Sequence, residues 1–273
     1  MLSDISFGQF YPTKSFVHAM DPRAKLLIVI VFMVAIFLAS SVAATAFLLL
    51  FLVLAIIAAR IPVRTIFKSI KPIVFIIVFT AVINILFYRK GNILVEWWIF
   101  RITDLALLFS LRMAIRLVML FLSATLLTLT TTPVALTDGI ESLLKPLKVI
   151  HFPVHEFALI MSIALRFIPT LMEETDRIIR AQKARGADFE SGNIFKKAKA
   201  LLPVLIPLLV SAFNRADELA DAMDSRCYSG AKGRTKMKKL RFGWRDGLSA
   251  LFILNTLLFV CLDKWVLLSS FGF

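Results

Sequence analysis

Two arginines in the C-terminal half of this 273-residue chain stand where a cation can do recognition chemistry. Arg185 lies between Ala184 and Gly186, and Arg226 between Ser225 and Cys227. Each closes a long stretch that starts apolar and turns charged. A guanidinium is planar, permanently charged and carries five donors. It can grip a carboxylate two-pronged or lie over backbone carbonyls in a groove. Exposed, such a contact contributes about 1 kcal/mol or less. Seated in a partner's cleft it contributes several times as much, because leaving either charge unpaired there is costly. The plainer role is to complement the negative end of a helix dipole. Spacing alone leaves both roles open.

Both arginines end segments that read as long helices. In residues 157–186, Phe157, Met161, Ala164, Ile168, Leu171, Thr175, Ile178 and Gln182 recur in steps of three and four, which defines one helix face. The opposite face is apolar through Met172 and charged from Glu173 onward, so the first half suits a membrane boundary and the second half water. Gly186 is a natural stop, leaving Arg185 at the tip. The second segment, residues 194–230, opens on Lys196, Lys197 and Lys199, suited to lipid headgroups. Pro203 and Pro207 follow inside an apolar run, where each is expected to bend or interrupt the helix. Ala212, Ala216 and Ala220 then form a small-residue stripe that lets another backbone come close, so the two helices are expected to cross. The far half is acidic (Asp217, Glu218, Asp221, Asp224), with Arg226 the only base near the tip.

The rest of the chain says where these helices are anchored. Apolar residues make up 59% of it and the formal charge is +14, which places it in the membrane class. Residues 1–25 end in Asp21-Pro22, a helix-start signal, and are not expected to be a cleavable signal. The apolar run over 26–59 is about twice the ~17–25 residues one span needs, so it reads as two spans with a tight turn near Ser40. Arg60, Arg64, Lys68 and Lys71 follow as a loop, then a third span over about 70–88. Residues 89–103, with Trp97-Trp98, read as an outer interfacial loop. A fourth helix covers about 104–131. Its Arg112 and Arg116 fit either the outer interface, where long cationic side chains snorkel, or a polar contact with a neighbouring membrane protein. Thr130-Thr131-Thr132-Pro133 ends it. A last span covers about 247–268. Residues 132–245 hold 19 Lys and Arg against three in the external loops (Arg89, Lys90, Arg101), which puts the N-terminus inside. The expectation is an all-α membrane protein of about five spans in three regions: a four-span region over 1–131, a cytoplasmic coupling region over 132–245 and a final span over 246–273.

Several function classes are disfavoured. Cys227 and Cys261 match no disulfide or metal spacing, and three histidines (His18, His151, His155) do not amount to a metal site. No cofactor is expected. Basic and aromatic residues are not interleaved along a soluble face, which disfavours nucleic acid. No phosphate-cradling Gly-x4-Gly-Lys-Ser/Thr loop occurs, so ATP chemistry belongs to partners. A membrane enzyme or a self-sufficient carrier would want acids or histidines converging inside the spans, and these contain almost none.

The segments RAQKARGADF around Arg185, ADAMDSRCYSGAKGRTK around Arg226, MDPRAKLL near the start and LTLTTTPVALTDGIESLLKPLK resemble the transmembrane T component of energy-coupling factor (ECF) transporters, ABC-type importers of vitamins and trace metals. The resemblance covers essentially the whole chain. It implies a non-catalytic subunit in a prokaryotic cell membrane, joining two cytoplasmic ABC ATPase subunits to a substrate-binding membrane S component. It also implies two coupling helices that each end in an Ala-Arg-Gly-like motif docking in an ATPase groove. Ala184-Arg185-Gly186 fills the first motif unchanged, and Ser225-Arg226-Cys227 fills the second with only its arginine kept. Cys227 stands where glycine is usual. A position requiring positive φ strains any residue with a side chain, so the second helix is expected to end either there or later, at Gly230.

Overall fold

The computed structural model describes residues 10–87, 93–97, 100–150, 153–189, 194–230 and 243–270. These fall into two compact units, one built from residues 10–139 with 243–270 and the other from residues 140–230. The first holds α1 (Pro22–Leu38), α2 (Val42–Ala59), α3 (Val63–Phe87), a short hairpin of β1 (Ile93–Trp97) and β2 (Phe100–Thr103), α4 (Asp104–Thr130), the start of α5 (Pro133–Leu143), and α8 (Trp244–Ser270). The second holds the end of α5, a 3-10 turn (Lys145–Ile150), α6 (Val154–Ala184) and α7 (Ile194–Asp224). This is an all-α membrane protein with one two-stranded ornament.

Local sequence accounts for most boundaries. Asp21 caps α1, accepting from the Arg23 amide at 2.9 Å with Pro22 in the first turn. Ser41 caps α2 after the three-residue turn that the sequence placed near Ser40. Thr132 Oγ1 accepts from the Ala135 amide at 3.3 Å to start α5 behind Pro133. Two boundaries differ from expectation. α3 begins at Val63, so Arg64, Lys68 and Lys71 lie on helix and not in a loop. The outer connection is a paired antiparallel hairpin with Trp97 opposite Phe100, since β-branched and aromatic residues there satisfy their backbone groups as strand. Trp98 and residues 88–92 lie outside the described residues.

Six described helices are long and apolar enough to cross a membrane: α2, α3, α4, α6, residues Lys199–Asp224 of α7, and Trp244–Lys264 of α8. The expected five spans counted α1, which has 17 residues, and left out α6 and α7. Many outward-facing side chains of these helices are greasy. α3 has no buried residue and presents Phe67, Phe75, Phe79 and Phe87 outward, which a bilayer tolerates and water would not.

In lipid the apolar surface gives helices no reason to associate, so small residues and hydrogen bonds must do it. Ala35, Ala39 and Ala44, each at most 3% exposed, let the α1–α2 hairpin close. Phe32, Ile36, Leu48, Leu52, Met119, Ile253 and Val260 fill the core that α1, α2, α4 and α8 share. At one end of these spans sits a polar knot. Lys25 Nζ donates to Thr130 O (2.9 Å), His18 O (3.3 Å) and Thr131 Oγ1 (3.4 Å), so all three ammonium protons are used. Asp246 accepts from the Asp21 amide at 2.8 Å and the Gly243 amide at 2.7 Å, fastening α8 to α1. Burial pushes the His18 imidazole below its usual range, which keeps it neutral beside the ammonium. At the far end Arg116 donates to Ala39 O (2.8 Å) and Arg112 to Ser40 O (3.1 Å). Two guanidinium groups of α4 thus hold the carbonyls of the α1–α2 turn.

Candidate functional site

α6 and α7 are the longest described helices, 31 residues each. They lie antiparallel where they touch, because as the index rises on one it falls on the other. Gln182 reaches Pro203, and Glu174 reaches Ser211 and Arg215. At the closest polar contact the Glu174 carboxylate accepts from Ser211 Oγ at 2.5 Å and from Arg215 Nη2 at 2.7 Å. Both ionic side chains are mostly shielded, 23% and 30% exposed, so the pair is worth more than a surface bridge.

Of the bend or interruption expected at its prolines, α7 shows no interruption: the helix runs continuously past Pro203 and Pro207. The missing amide of Pro207 leaves Pro203 O without its intrahelical donor. Gln182 Nε2 of α6 supplies one from 3.4 Å, so the bond missing from one helix becomes a contact to the other. Ala212, Ala216 and Ala220 line an open apolar groove of about 300 Å³ opposite Ile163, Phe167 and Leu171, with Ala216 and Ala220 exposed. The firmest polar contact between the helices is therefore the Glu174–Ser211–Arg215 clasp. Sequence reading missed it, because nothing in either helix alone tells which acid meets which base.

The two arginine ends share one local geometry. After α6 the Ala187 amide bonds Gln182 O (2.9 Å) and the Gly186 amide bonds Lys183 O (3.0 Å), with Gly186 at φ +90°. After α7 the Tyr228 amide bonds Met223 O (3.0 Å) and the Cys227 amide bonds Asp224 O (2.9 Å), with Cys227 at φ +55°. Both are Schellman caps, and in each the arginine is the last residue before the left-handed one. Cys227 thus accepts the conformation glycine would supply, and the cap closes there rather than at Gly230. Ala184, Arg185, Gly186, Ser225, Arg226 and Cys227 are all exposed. Among the described residues neither guanidinium has an ion pair or hydrogen bond. Arg226 borders an open cavity of about 660 Å³ with Arg166, Asn214 and Glu218. Arg185 lies 11 residues past Glu174, and Arg226 lies 11 past Arg215. At ~1.5 Å per residue in opposite directions, the tips stand about 33 Å apart along the pair.

No group of three or more His, Cys, Asp or Glu side chains able to hold a metal ion occurs among the described residues. Residues 13–237 match the family model described as cobalt transport protein, CbiQ. The chain is 49% identical to the energy-coupling factor transporter transmembrane protein EcfT of Ruminiclostridium cellulolyticum over the full length of both. It is 49% identical to that of Acidaminococcus fermentans, over 97% of this chain and 98% of the relative. With that of Bacillus subtilis the identity is 46%, over 95% and 98%. The chain belongs to the family of transmembrane T components of ECF transporters, a multi-pass and non-catalytic part of a transport system.

Proposed function

We propose that this chain is the coupling subunit of an ECF importer, carrying the motion of two ABC ATPase subunits to a substrate-binding S component. The observation that supports it best is the matched pair of caps: two helices of equal length, each ended by an exposed arginine before a left-handed residue. Tips about 33 Å apart and pointing oppositely suit two docking grooves on two subunits, one arginine to each. ATP-driven closure of the ATPases brings the grooves together. The helices then pivot on the Glu174–Arg215 clasp and the alanine stripe. Their apolar stretches, which include the exposed Phe157, Ile160, Leu205 and Leu209, lie at the membrane boundary and shift the S component so that substrate leaves inward.

In this reading the N-terminus is cytoplasmic in a prokaryotic cell membrane, residues 132–245 form the cytoplasmic coupling region, and the cargo is a vitamin or micronutrient chosen by the S component. Replacing Arg185 and Arg226 together with alanine is expected to abolish copurification of the ATPases and to uncouple hydrolysis from uptake. Arg→Lys restores these only partly, because an ammonium lacks the fork. A double-alanine protein that assembles and transports normally refutes the docking role.

A further inference from the structure

The unit containing the spans carries an apolar groove that helix packing leaves unfilled. Its volume is about 270 Å³, and its walls include Phe16, Val17, Phe32, Ala55, Ala58 and Phe252, from the N-terminal segment, α1, α2 and α8. Apolar voids of about 150 Å³ stay dry and take up small hydrocarbons, so water is not the natural occupant here. Leu54, Ala58 and Phe252 on its rim are exposed, which leaves the groove reachable from the side of the bundle. In a bilayer the hydrocarbon at hand is an acyl chain.

The mouth of the groove is cationic. Val17, a wall residue, packs against the small cluster of Ala59, Ile61 and Leu129, whose first two members flank Arg60 in the chain. Phe16, the adjoining wall residue, lies under the Arg245 guanidinium, 5.8 Å from its ring centroid. Arg245 thus lies over one wall residue, and Arg60 sits in the chain between two members of the cluster that the other, Val17, joins. Arg60 is exposed and Arg245 half-buried, and among the described residues neither has an acidic partner. Arg60 also holds a left-handed backbone, φ +53°, where the chain turns out of α2. Exposed Trp244 stands beside Arg245 as an interfacial aromatic.

We propose that this groove is a binding site for an anionic glycerophospholipid, with one acyl chain between α1, α2 and α8 and the phosphate met by Arg60 and Arg245. None of the groove's lining residues belongs to α6 or α7, and its test does not depend on their role. The full chain, reconstituted in phosphatidylcholine bilayers with or without phosphatidylglycerol of the same acyl chains, is extracted and examined by native mass spectrometry. Retained phosphatidylglycerol is expected to exceed its share of the bilayer by roughly 25-fold, about fivefold for each guanidinium. Arg60→Gln with Arg245→Gln removes that preference while Arg→Lys keeps most of it, and Ala55→Phe lowers retention of both lipids by filling the groove. Arg60→Gly serves as a second variant that folds readily, since it suits the left-handed backbone; it loses about fivefold. Equal retention of the two lipids by the wild-type protein overturns the proposal. So does a phosphatidylglycerol preference that survives the double glutamine change, or loss of a copurifying protein in that variant with lipid retention unchanged, which would assign the arginines to a protein partner.

Discussion

The cap at Cys227 gives a measurement with a magnitude that can be worked out beforehand. A residue with a side chain in the left-handed region costs roughly 1–2 kcal/mol more than glycine there. Glycine returns about 0.5–1 kcal/mol of that through the extra freedom of the unfolded chain. Cys227→Gly should therefore tighten the end of α7 by about 0.5–1 kcal/mol, a two- to fivefold slower local opening. The reporter is the Tyr228 amide, whose bond to Met223 O at 3.0 Å exists only while the cap is closed. Hydrogen–deuterium exchange of that amide should slow by the stated factor. Gly186→Ala is the mirror experiment. A Cβ there meets nothing within 4 Å, so the change is backbone strain with no collision, and φ is +90°. The Ala187 amide, bonded to Gln182 O at 2.9 Å, should exchange two- to fivefold faster. Unchanged exchange at Tyr228 in the first variant, or at Ala187 in the second, would refute the claim that both caps depend on a left-handed residue.

Two further outcomes follow from contacts away from the tips. A double-mutant cycle of Glu174→Gln and Arg215→Met, read by thermal unfolding in detergent, should show a coupling of about 1 kcal/mol, the strength of a charge-assisted hydrogen bond reduced by its partial exposure; additive effects would mean the clasp does not hold the helices. Lys25→Met leaves Thr130 O, Thr131 Oγ1 and His18 O without their donor and strips the cation from beside buried Asp21 and Asp246. It should lower stability by about 3 kcal/mol or more, and a thermal shift that corresponds to under about 1 kcal/mol would contradict the knot.

The sequence by itself determined what depends on neighbours along the chain. The α1 cap at Asp21-Pro22, the turn near Ser40, the stop at Thr130 to Pro133 and the two arginine-ended helices were all legible, because each is set by residues within a turn of one another. Fold class was legible too, since a 59% apolar chain with long greasy runs has few other solutions. Tertiary structure decided what depends on register between distant segments. It matched Glu174 with Arg215, gave Gln182 the carbonyl freed by Pro207, brought Lys25 to Thr130, and turned Arg112 and Arg116 toward the α1–α2 carbonyls. It also showed Cys227 taking a glycine's backbone. Periodicity tells which face of a helix is apolar or charged, but not how far that helix slides against another. A polar contact exists only at the one offset that brings donor and acceptor within about 3 Å.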